Sequence, residues 1–225
     1  MTVPGRPIII AHRACNELSS LAVAEAAGAD LVEADIWRYR GRLEVRHLKT
    51  MGPVPLLWDR WKLVPAWSPR LDFATLLRAA APATRFMFDL KGSDALLPRE
   101  IIETLASVSP GREYWVCART WRLLEPFCHE AGVQVVHSVG TMRELRTFLA
   151  RFSWHENRAV SIHRKLLNPA TVEALKERAP IVITWPVNTR DVFDAIRLLG
   201  VDGVTSDSLP LIRKLIAERA APPAD

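Results

Sequence analysis

Short apolar runs alternate with amphipathic stretches along most of this chain. The apolar runs have the length of buried strands, and the stretches between them repeat apolar residues at the spacing of a helix face. Eight strands are predicted, over residues 7–11, 31–37, 86–90, 114–118, 133–139, 159–163, 181–187 and 203–206. Helices are predicted over residues 19–27, 72–80, 98–107, 121–131, 141–151, 169–178, 191–199 and 209–219. Regular alternation of strand and helix is typical of the α/β class.

The number of strand-helix units favours one α/β architecture over another. Eight units in 225 residues fit a (β/α)8 barrel, the TIM barrel. An open doubly wound sheet is the structural alternative, but no G-x-G-x-x-G fingerprint follows the first strand and the sequence contains no P-loop. We therefore expect a single barrel domain over residues 1–225 that ends in a frayed tail at 220–225.

The second predicted strand carries two carboxylates where a buried parallel strand is normally apolar. Glu33 and Asp35 are two residues apart, so their side chains face the same side of the strand. Two anionic oxygen ligands on one wall suit a hard divalent cation such as Mg²⁺ or Ca²⁺. The chain then turns through Arg40 and Gly41, and it brings His47 near these carboxylates if the turn closes a hairpin.

Polar residues follow or end all eight predicted strands. In a barrel the active site lies at the carboxyl ends of the strands, where the loops gather. The residues at these ends are His12, Arg13, Glu33, Asp35, His47, Asp89, Lys91, Arg119, Ser138, His163, Asn188 and Asp207. The pattern predicts that they converge at one mouth of the barrel.

Charge narrows the class of partner. The chain has 30 lysines and arginines against 25 acidic residues, a net charge of +5, but the basic residues form no run of five or six. Nucleic acid is therefore not implied as a partner. A small anionic substrate or a phospholipid head group fits this charge, and so does an arginine-rich surface that is merely solvated.

Cysteine usage and hydropathy exclude further classes of protein. The three cysteines show no C-x-x-C spacing, so we expect neither a disulfide framework nor a zinc site. No apolar run reaches the ~18 residues of a membrane span, and the first residues lack the pattern of a signal peptide. We therefore expect a soluble, cytoplasmic protein.

Six motifs, spread over nearly the whole chain, coincide with the predicted strands and their ends. They are A-H-R at 11–13, G-A-D-L-V-E-A-D at 28–35, V-R-H at 45–47, D-L-K at 89–91, W-P-V-N at 185–188 and G-V-D-G-V-T-S-D at 200–207. Together they resemble the glycerophosphodiester phosphodiesterase family, and Asp89 in F-D-L-K is similar to the sphingomyelinase D-type phospholipases of the same superfamily. The resemblance implies a TIM barrel that cleaves glycerophosphodiesters or lysophospholipids.

The resemblance also implies roles for individual residues. His12 and His47 match the catalytic acid-base pair, without an assignment of which is the acid. The positions that match the ligands of one divalent metal ion, Mg²⁺ or Ca²⁺, are Glu33, Asp35 and Asp89. The residues expected at the substrate are Arg13 and Lys91, as phosphate contacts, and Trp185, as a wall of the pocket or a filler of the mouth.

The sequence departs from the family pattern at two loops. The loop after Arg13 is short, A-C-N-E at 14–17, where the family has Gly and a longer loop ending in Pro-Glu-Asn-Thr, so a role for Glu17 is not carried over. Leu48 follows His47 where the family commonly has Asp. Two alternatives to hydrolysis therefore stay open: transphosphorylation to a cyclic phosphate, and a barrel that binds a phosphate ester without turnover. The oligomeric state is also left open.

Two groups of aromatic residues allow both a structural and a functional interpretation. Trp58, Trp61 and Trp67 either contact lipid at an interface or belong to a lid packed over the barrel. His137 and His163 are expected at core or rim positions and not as substrate contacts.

Overall fold

The computed structural model describes residues 6–51, 54–59 and 62–220. In these residues the strands are β1 (Ile8–Ala11), β2 (Leu31–Tyr39), β3 (Arg42–Val45), β4 (Lys49–Met51), β5 (Val54–Asp59), β6 (Lys62–Pro65), β7 (Leu71–Asp72), β8 (Phe86–Leu90), β9 (Tyr114–Ala118), β10 (Val133–Val139), β11 (Arg158–His163), β12 (Ile181–Trp185) and β13 (Gly203–Ser206). The α-helices are α1 (Leu18–Ala26), α2 (Phe73–Ala79), α3 (Leu97–Val108), α4 (Met142–Arg151), α5 (Pro169–Lys176), α6 (Arg190–Arg197) and α7 (Leu209–Ala220). Trp61 and the predicted tail beyond residue 220 lie outside the described residues.

Eight parallel strands close into a barrel. β1 pairs with β13 on one side, where Ile9 lies opposite Val204, and with β2 on the other, where Ala11 lies opposite Val32. The order continues from β13 through β12, β11, β10, β9 and β8 back to β2. Because the first strand has parallel partners on both sides, the sheet is closed, and the predicted TIM barrel is confirmed over the open sheet.

Side-chain alternation divides the apolar residues into two clusters. Residues that point into the barrel form a small cluster, comprising Ile10, Leu31, Met87, Trp115, Cys117, Val136, Ala159 and Ile183. Residues of the opposite face pack against the helices in a much larger cluster. Gly203 of β13 leaves space for the small inner cluster, since a Cβ there would lie 2.8 Å from the carbonyl oxygen of Ile8 and 2.9 Å from Ile183.

The predicted element bounds differ from the structure at three informative places. β2 is two residues longer than predicted because it continues as a hairpin with β3, in which Ile36 lies opposite Val45. Residues 121–131, predicted as an α-helix, form a 3₁₀ helix over Trp121–His129, and Pro126 inside it lacks the N–H that an α-helix needs. β12 ends at Trp185 because Pro186 cannot donate to the ladder.

An excursion between β2 and α2 carries five short strands. β3 pairs with both β2 and β7, whereas β4, β5 and β6 form a separate antiparallel sheet of three strands. Two buried ionic contacts hold the start of the excursion, because the carboxylate of Glu44 lies 2.8 Å from Nε of both Arg46 and Arg70.

Within the described residues, no helix combines the length and the apolar character needed to cross a membrane.

Candidate active site

Three carboxylates meet inside the carboxyl end of the barrel. Glu33 and Asp35 of β2 are fully buried, and Asp35 lies directly opposite Asp89 of β8. One carboxylate oxygen from each of the three residues lies within 4.8 Å of the other two. The structure therefore brings the three predicted metal ligands together, as the two-residue spacing in β2 and the parallel register require.

This cluster carries more negative charge than its surroundings neutralise. Burial, and next the charge of Asp35, raise the pKa of Glu33 to about 8. Burial also raises the pKa of Asp89. For Asp35 burial acts in the same direction, but Lys91 and a hydrogen bond from Asn16 outweigh it and lower the pKa. Three hard oxygen donors whose charges repel one another fit a divalent cation, which would relieve that repulsion.

Lys91 and Asn16 hold the carboxylates from two sides. Nζ of Lys91 lies 2.7 Å from Oδ1 of Asp35 and also donates to Asp89. Asn16 donates from Nδ2 to Oδ2 of Asp35 at 2.8 Å, and its Oδ1 accepts from the backbone N–H of Asp35 at 3.1 Å. Burial would lower the pKa of Lys91, but the charges of Asp89 and Asp35 outweigh burial and raise it. Lys91 is therefore an ammonium at the cluster.

His12 is held by a carboxylate from the last barrel strand. Nδ1 of His12 lies 2.6 Å from Oδ1 of Asp207, and Nε2 lies 3.9 Å from Oε2 of Glu33. Burial would lower the pKa of His12, but the hydrogen bond to Asp207 and the charge of Glu33 outweigh it and raise the pKa. The same hydrogen bond lowers the pKa of Asp207 to about 2. Asn188 orients Asp207 by accepting from its backbone N–H at 2.9 Å.

His47 lies between a carboxylate and a guanidinium. Nδ1 of His47 lies 2.7 Å from Oδ2 of Asp59, and Nε2 lies 2.6 Å from Nη2 of Arg13. A guanidinium only donates, so Nε2 of His47 accepts and the proton of the ring is on Nδ1, where it is donated to Asp59. Nε2 is therefore the acceptor nitrogen of His47 in this arrangement, and its electron pair is engaged by Arg13.

Arg13 connects the histidines with the carboxylate cluster. Its backbone N–H donates to Oε2 of Glu33 at 2.6 Å, and its φ of 54° is in the left-handed region, which a non-glycine residue adopts at a cost of about 1 kcal/mol. Nε of Arg13 is buried and has no hydrogen-bond partner among the described residues. The strained turn thus directs a partly unpaired cation into the mouth.

Trp185 and His163 stand side by side on the far wall of the mouth. They are opposite each other at the ends of β12 and β11, and their ring centroids are 4.8 Å apart in an edge-to-face arrangement. Trp185 is half-buried, and its two predicted roles, a wall of the pocket and a filler of the mouth, both stay predictions. His137 instead lies in the core beside Phe148 and Phe152, where burial lowers its pKa to about 4.

The two departures from the family pattern have structural counterparts. Glu17 is exposed at the start of α1 and does not join the carboxylate cluster. Leu48 has no carboxylate to offer His47, and the carboxylate that contacts Nδ1 of His47 comes from Asp59 of β5. Asp59 was not predicted as a site residue, since it is twelve residues from His47 in the sequence and no local motif connects the two. Asp207, in contrast, belongs to the predicted strand-end residues.

Comparisons with known proteins identify the fold. No family model and no curated protein matches the sequence. Among solved structures, an Oleispira antarctica phosphodiesterase in complex with the product sn-glycerol-3-phosphate matches at a TM-score of 0.71 and 16% identity, over 94% of this chain and 97% of that one. A glycerophosphodiester phosphodiesterase from Parabacteroides distasonis matches at a TM-score of 0.68 and 19% identity, over 96% and 100%.

A third solved structure agrees with these two. The glycerophosphoryl diester phosphodiesterase domain of a protein from Mycobacterium tuberculosis matches at a TM-score of 0.67 and 17% identity, over 93% of this chain and 98% of that one. The chain therefore has the TIM-barrel fold of the glycerophosphodiester phosphodiesterases over nearly its full described length.

Proposed function

We propose that this chain is a metal-dependent phosphodiesterase that hydrolyses glycerophosphodiesters or lysophospholipids. The observation that carries the proposal is the position of two histidines, each held by its own carboxylate, beside three clustered carboxylates at one barrel mouth. Binding alone would need no such acid-base pair. The phosphodiesterase names of the structural neighbours, one of them in complex with sn-glycerol-3-phosphate, support the same reaction class.

Glu33, Asp35 and Asp89 would hold one divalent cation, Mg²⁺ or Ca²⁺. Such a cation, when bound, supplies positive charge that stabilises the phosphoryl oxygens. The chain's own cations are placed for the same anion: the guanidinium of Arg13, whose buried Nε makes no hydrogen bond and lies 3.9 Å from Oδ2 of Asp35, and the ammonium of Lys91. A forked donor and a point charge at one mouth suit a phosphodiester, which has two anionic oxygens to engage.

The hydrogen bonds of the two histidines suggest a division of roles. Nε2 of His47 is the acceptor nitrogen of the ring, so His47 acts as the base that removes a proton from the attacking water once Arg13 turns from Nε2 to the phosphate. Asp207 favours the protonated form of His12, so His12 acts as the acid that donates from Nε2 to the leaving alkoxide. Asp59 and Asp207 keep each ring in the tautomer that its role requires.

Transphosphorylation is the second candidate reaction. A hydroxyl of the substrate would then replace water as the nucleophile, and the product would be a cyclic phosphate. The observation that favours it is Asp89 as the third carboxylate, a feature of the sphingomyelinase D-type phospholipases to which the F-D-L-K motif is similar. The same residues serve both reactions, so only the product separates them.

The test is phosphodiester cleavage followed by ³¹P NMR of the products. Glycerophosphocholine, glycerophosphoethanolamine and a panel of lysophospholipids are incubated with the protein, with EDTA, and with EDTA followed by Mg²⁺ or Ca²⁺. We expect turnover that EDTA abolishes, that one cation restores, and that His12→Ala and Glu33→Gln eliminate. His129→Ala, which removes an exposed histidine, is the matched control. Turnover that resists EDTA and survives His12→Ala would contradict the mechanism, and a cyclic product would select transphosphorylation.

A further inference from the structure

The three-stranded sheet of β4, β5 and β6 has two faces of different character. Alternation along β5 places Leu57 and Asp59 on the inner face, where Leu57 is fully buried and Asp59 contacts His47. Trp58, between them, points to the opposite, outer face. Trp58 is 39% exposed, so this face is open to solvent.

The outer face is a continuous apolar surface. Cross-strand pairing aligns Lys49, Trp58 and Leu63 in one row across the three strands. Met51 and Val54 are opposite each other further along, with exposed fractions of 41% and 45%, and Leu63 is 59% exposed. We call the set of Lys49, Met51, Val54, Trp58 and Leu63 the outer face. Exposed side chains of this size, contiguous on one sheet face, indicate an interaction surface.

The charge of the outer face selects its partner. The ammonium of Lys49 lies 5.1 Å from the ring centroid of Trp58 on this face. No acidic side chain belongs to the outer face as described, because Asp59 points inwards to His47. Apolar side chains, an indole and a basic residue together are what a peripheral protein inserts into the boundary between acyl chains and anionic head groups.

We propose that the outer face docks on an anionic phospholipid surface and places the barrel mouth at that surface. The proposal rests on the proposed function and deepens it, since it selects acyl-bearing phosphodiesters as substrates over freely soluble ones. β5 links the two surfaces directly: it presents Trp58 to the lipid and Asp59 to the catalytic histidine. The docked lipid surface and the mouth therefore lie on the two sides of this one sheet.

A second copy of the chain is the other occupant that an apolar face can take. A symmetric dimer through the outer face would bury Lys49 of both copies, and the face as described offers no carboxylate to pair with either ammonium. An anionic lipid surface supplies the missing negative charge. Self-association is thus disfavoured by the same residues that favour lipid.

Vesicle binding tests the proposal without any turnover. The protein is sedimented with vesicles of phosphatidylcholine alone and of phosphatidylcholine mixed with phosphatidylglycerol. We expect binding to the mixed vesicles, and a loss of about tenfold or more in Trp58→Ser combined with Leu63→Ser. The matched control combines Trp154→Ser and Leu198→Ser, which remove a more exposed tryptophan and leucine elsewhere on the surface. Thermal unfolding checks that both double variants are folded.

The outcomes separate lipid docking from its rivals and from the phosphodiesterase activity. Equal binding by the two double variants, or no binding of the wild type, would overturn lipid docking. So would a wild-type dimer, seen by light scattering, that only the Trp58 and Leu63 variant dissociates. If the protein binds these vesicles yet cleaves no phosphodiester, the proposed function fails while the docking surface stands. If the Trp58 and Leu63 variant loses much more turnover on vesicle-borne lysophospholipid than on glycerophosphocholine, the result supports both the docking surface and the proposed function.

Discussion

His12 donates a hydrogen bond of 2.6 Å from Nδ1 to Asp207, a residue 195 positions further along the chain. The two residues directly follow β1 and β13, the first and last barrel strands, which are neighbours only because the barrel is closed. This contact fixes the ring so that Nε2 faces the mouth, and it raises the pKa of the imidazole. Asp207 is thus a positioning residue that acts through His12.

Replacing Asp207 should move the pH profile of the enzyme. Asp207→Asn removes the charge that raises the pKa of His12, so that pKa falls. If His12 is the acid, it must be protonated, and the alkaline limb of kcat/KM against pH shifts to lower pH. We expect kcat/KM at neutral pH to fall about 10-fold to 1,000-fold. A limb that stays in place while activity falls would instead mean that Asp207 has only a structural role.

Asp59→Asn should lower kcat with little change in KM. Asp59 accepts from Nδ1 of His47, so an amide in its place can stabilise the wrong tautomer and direct a proton to Nε2. We expect kcat to fall about 10-fold to 1,000-fold, measured on a soluble glycerophosphodiester. Asp191→Asn, at an exposed position on α6, is the control. If both variants keep wild-type kcat, His47 does not depend on Asp59.

Cation binding should release protons. The metal-free carboxylate of Glu33 has a pKa of about 8, so a cation must displace a proton at neutral pH. Affinity for Mg²⁺ or Ca²⁺ should therefore rise with pH up to about 8 and level off above it. Calorimetric titrations in two buffers of different ionisation enthalpy measure the protons released. Binding with no proton release at neutral pH would show that Glu33 is already ionised.

Glu33→Gln should have opposite effects on stability with and without a cation. The amide keeps an acceptor for the N–H of Arg13 and does not have to take up a proton on folding, as the buried carboxyl of pKa about 8 does. The metal-free free energy of unfolding should therefore rise by on the order of 1 kcal/mol, and Tm should rise with it. The variant should then gain little from added Mg²⁺ or Ca²⁺, whereas the wild type is stabilised by binding. Thermal unfolding with EDTA and with each cation measures both effects. An equal gain in the two proteins would exclude Glu33 as a ligand.

Gly203→Ala should destabilise the barrel. The added methyl group would lie 2.8 Å from the carbonyl oxygen of Ile8, which is backbone and cannot move aside easily. We expect a loss of about 1 to 3 kcal/mol in the free energy of unfolding, measured with denaturant. In the control Gly140→Ala, the new methyl group meets only the flexible end of Arg119, so its effect should be small.

Most of the barrel and the carboxylate cluster could be predicted because they depend on local periodicity. Glu33 and Asp35 share a face through spacing alone, and Asp89 joins them through the parallel register. Asp59 could not be predicted, since its contact with His47 depends on how the excursion folds back over the mouth. The 3₁₀ helix at Trp121–His129 was missed because its apolar pattern fits an α-helix equally well, and only Pro126 indicated the difference.

The pairing of β1 with β13 has a consequence for how the protein loses activity. If the last strand detaches, β1 keeps only its partner β2, and His12 loses Asp207 in the same event. In the proposed phosphodiesterase, partial opening at this seam should therefore end turnover before most helices melt. The rate of amide hydrogen exchange at Ile9 and Val204 should then rise over the same temperature range in which turnover is lost.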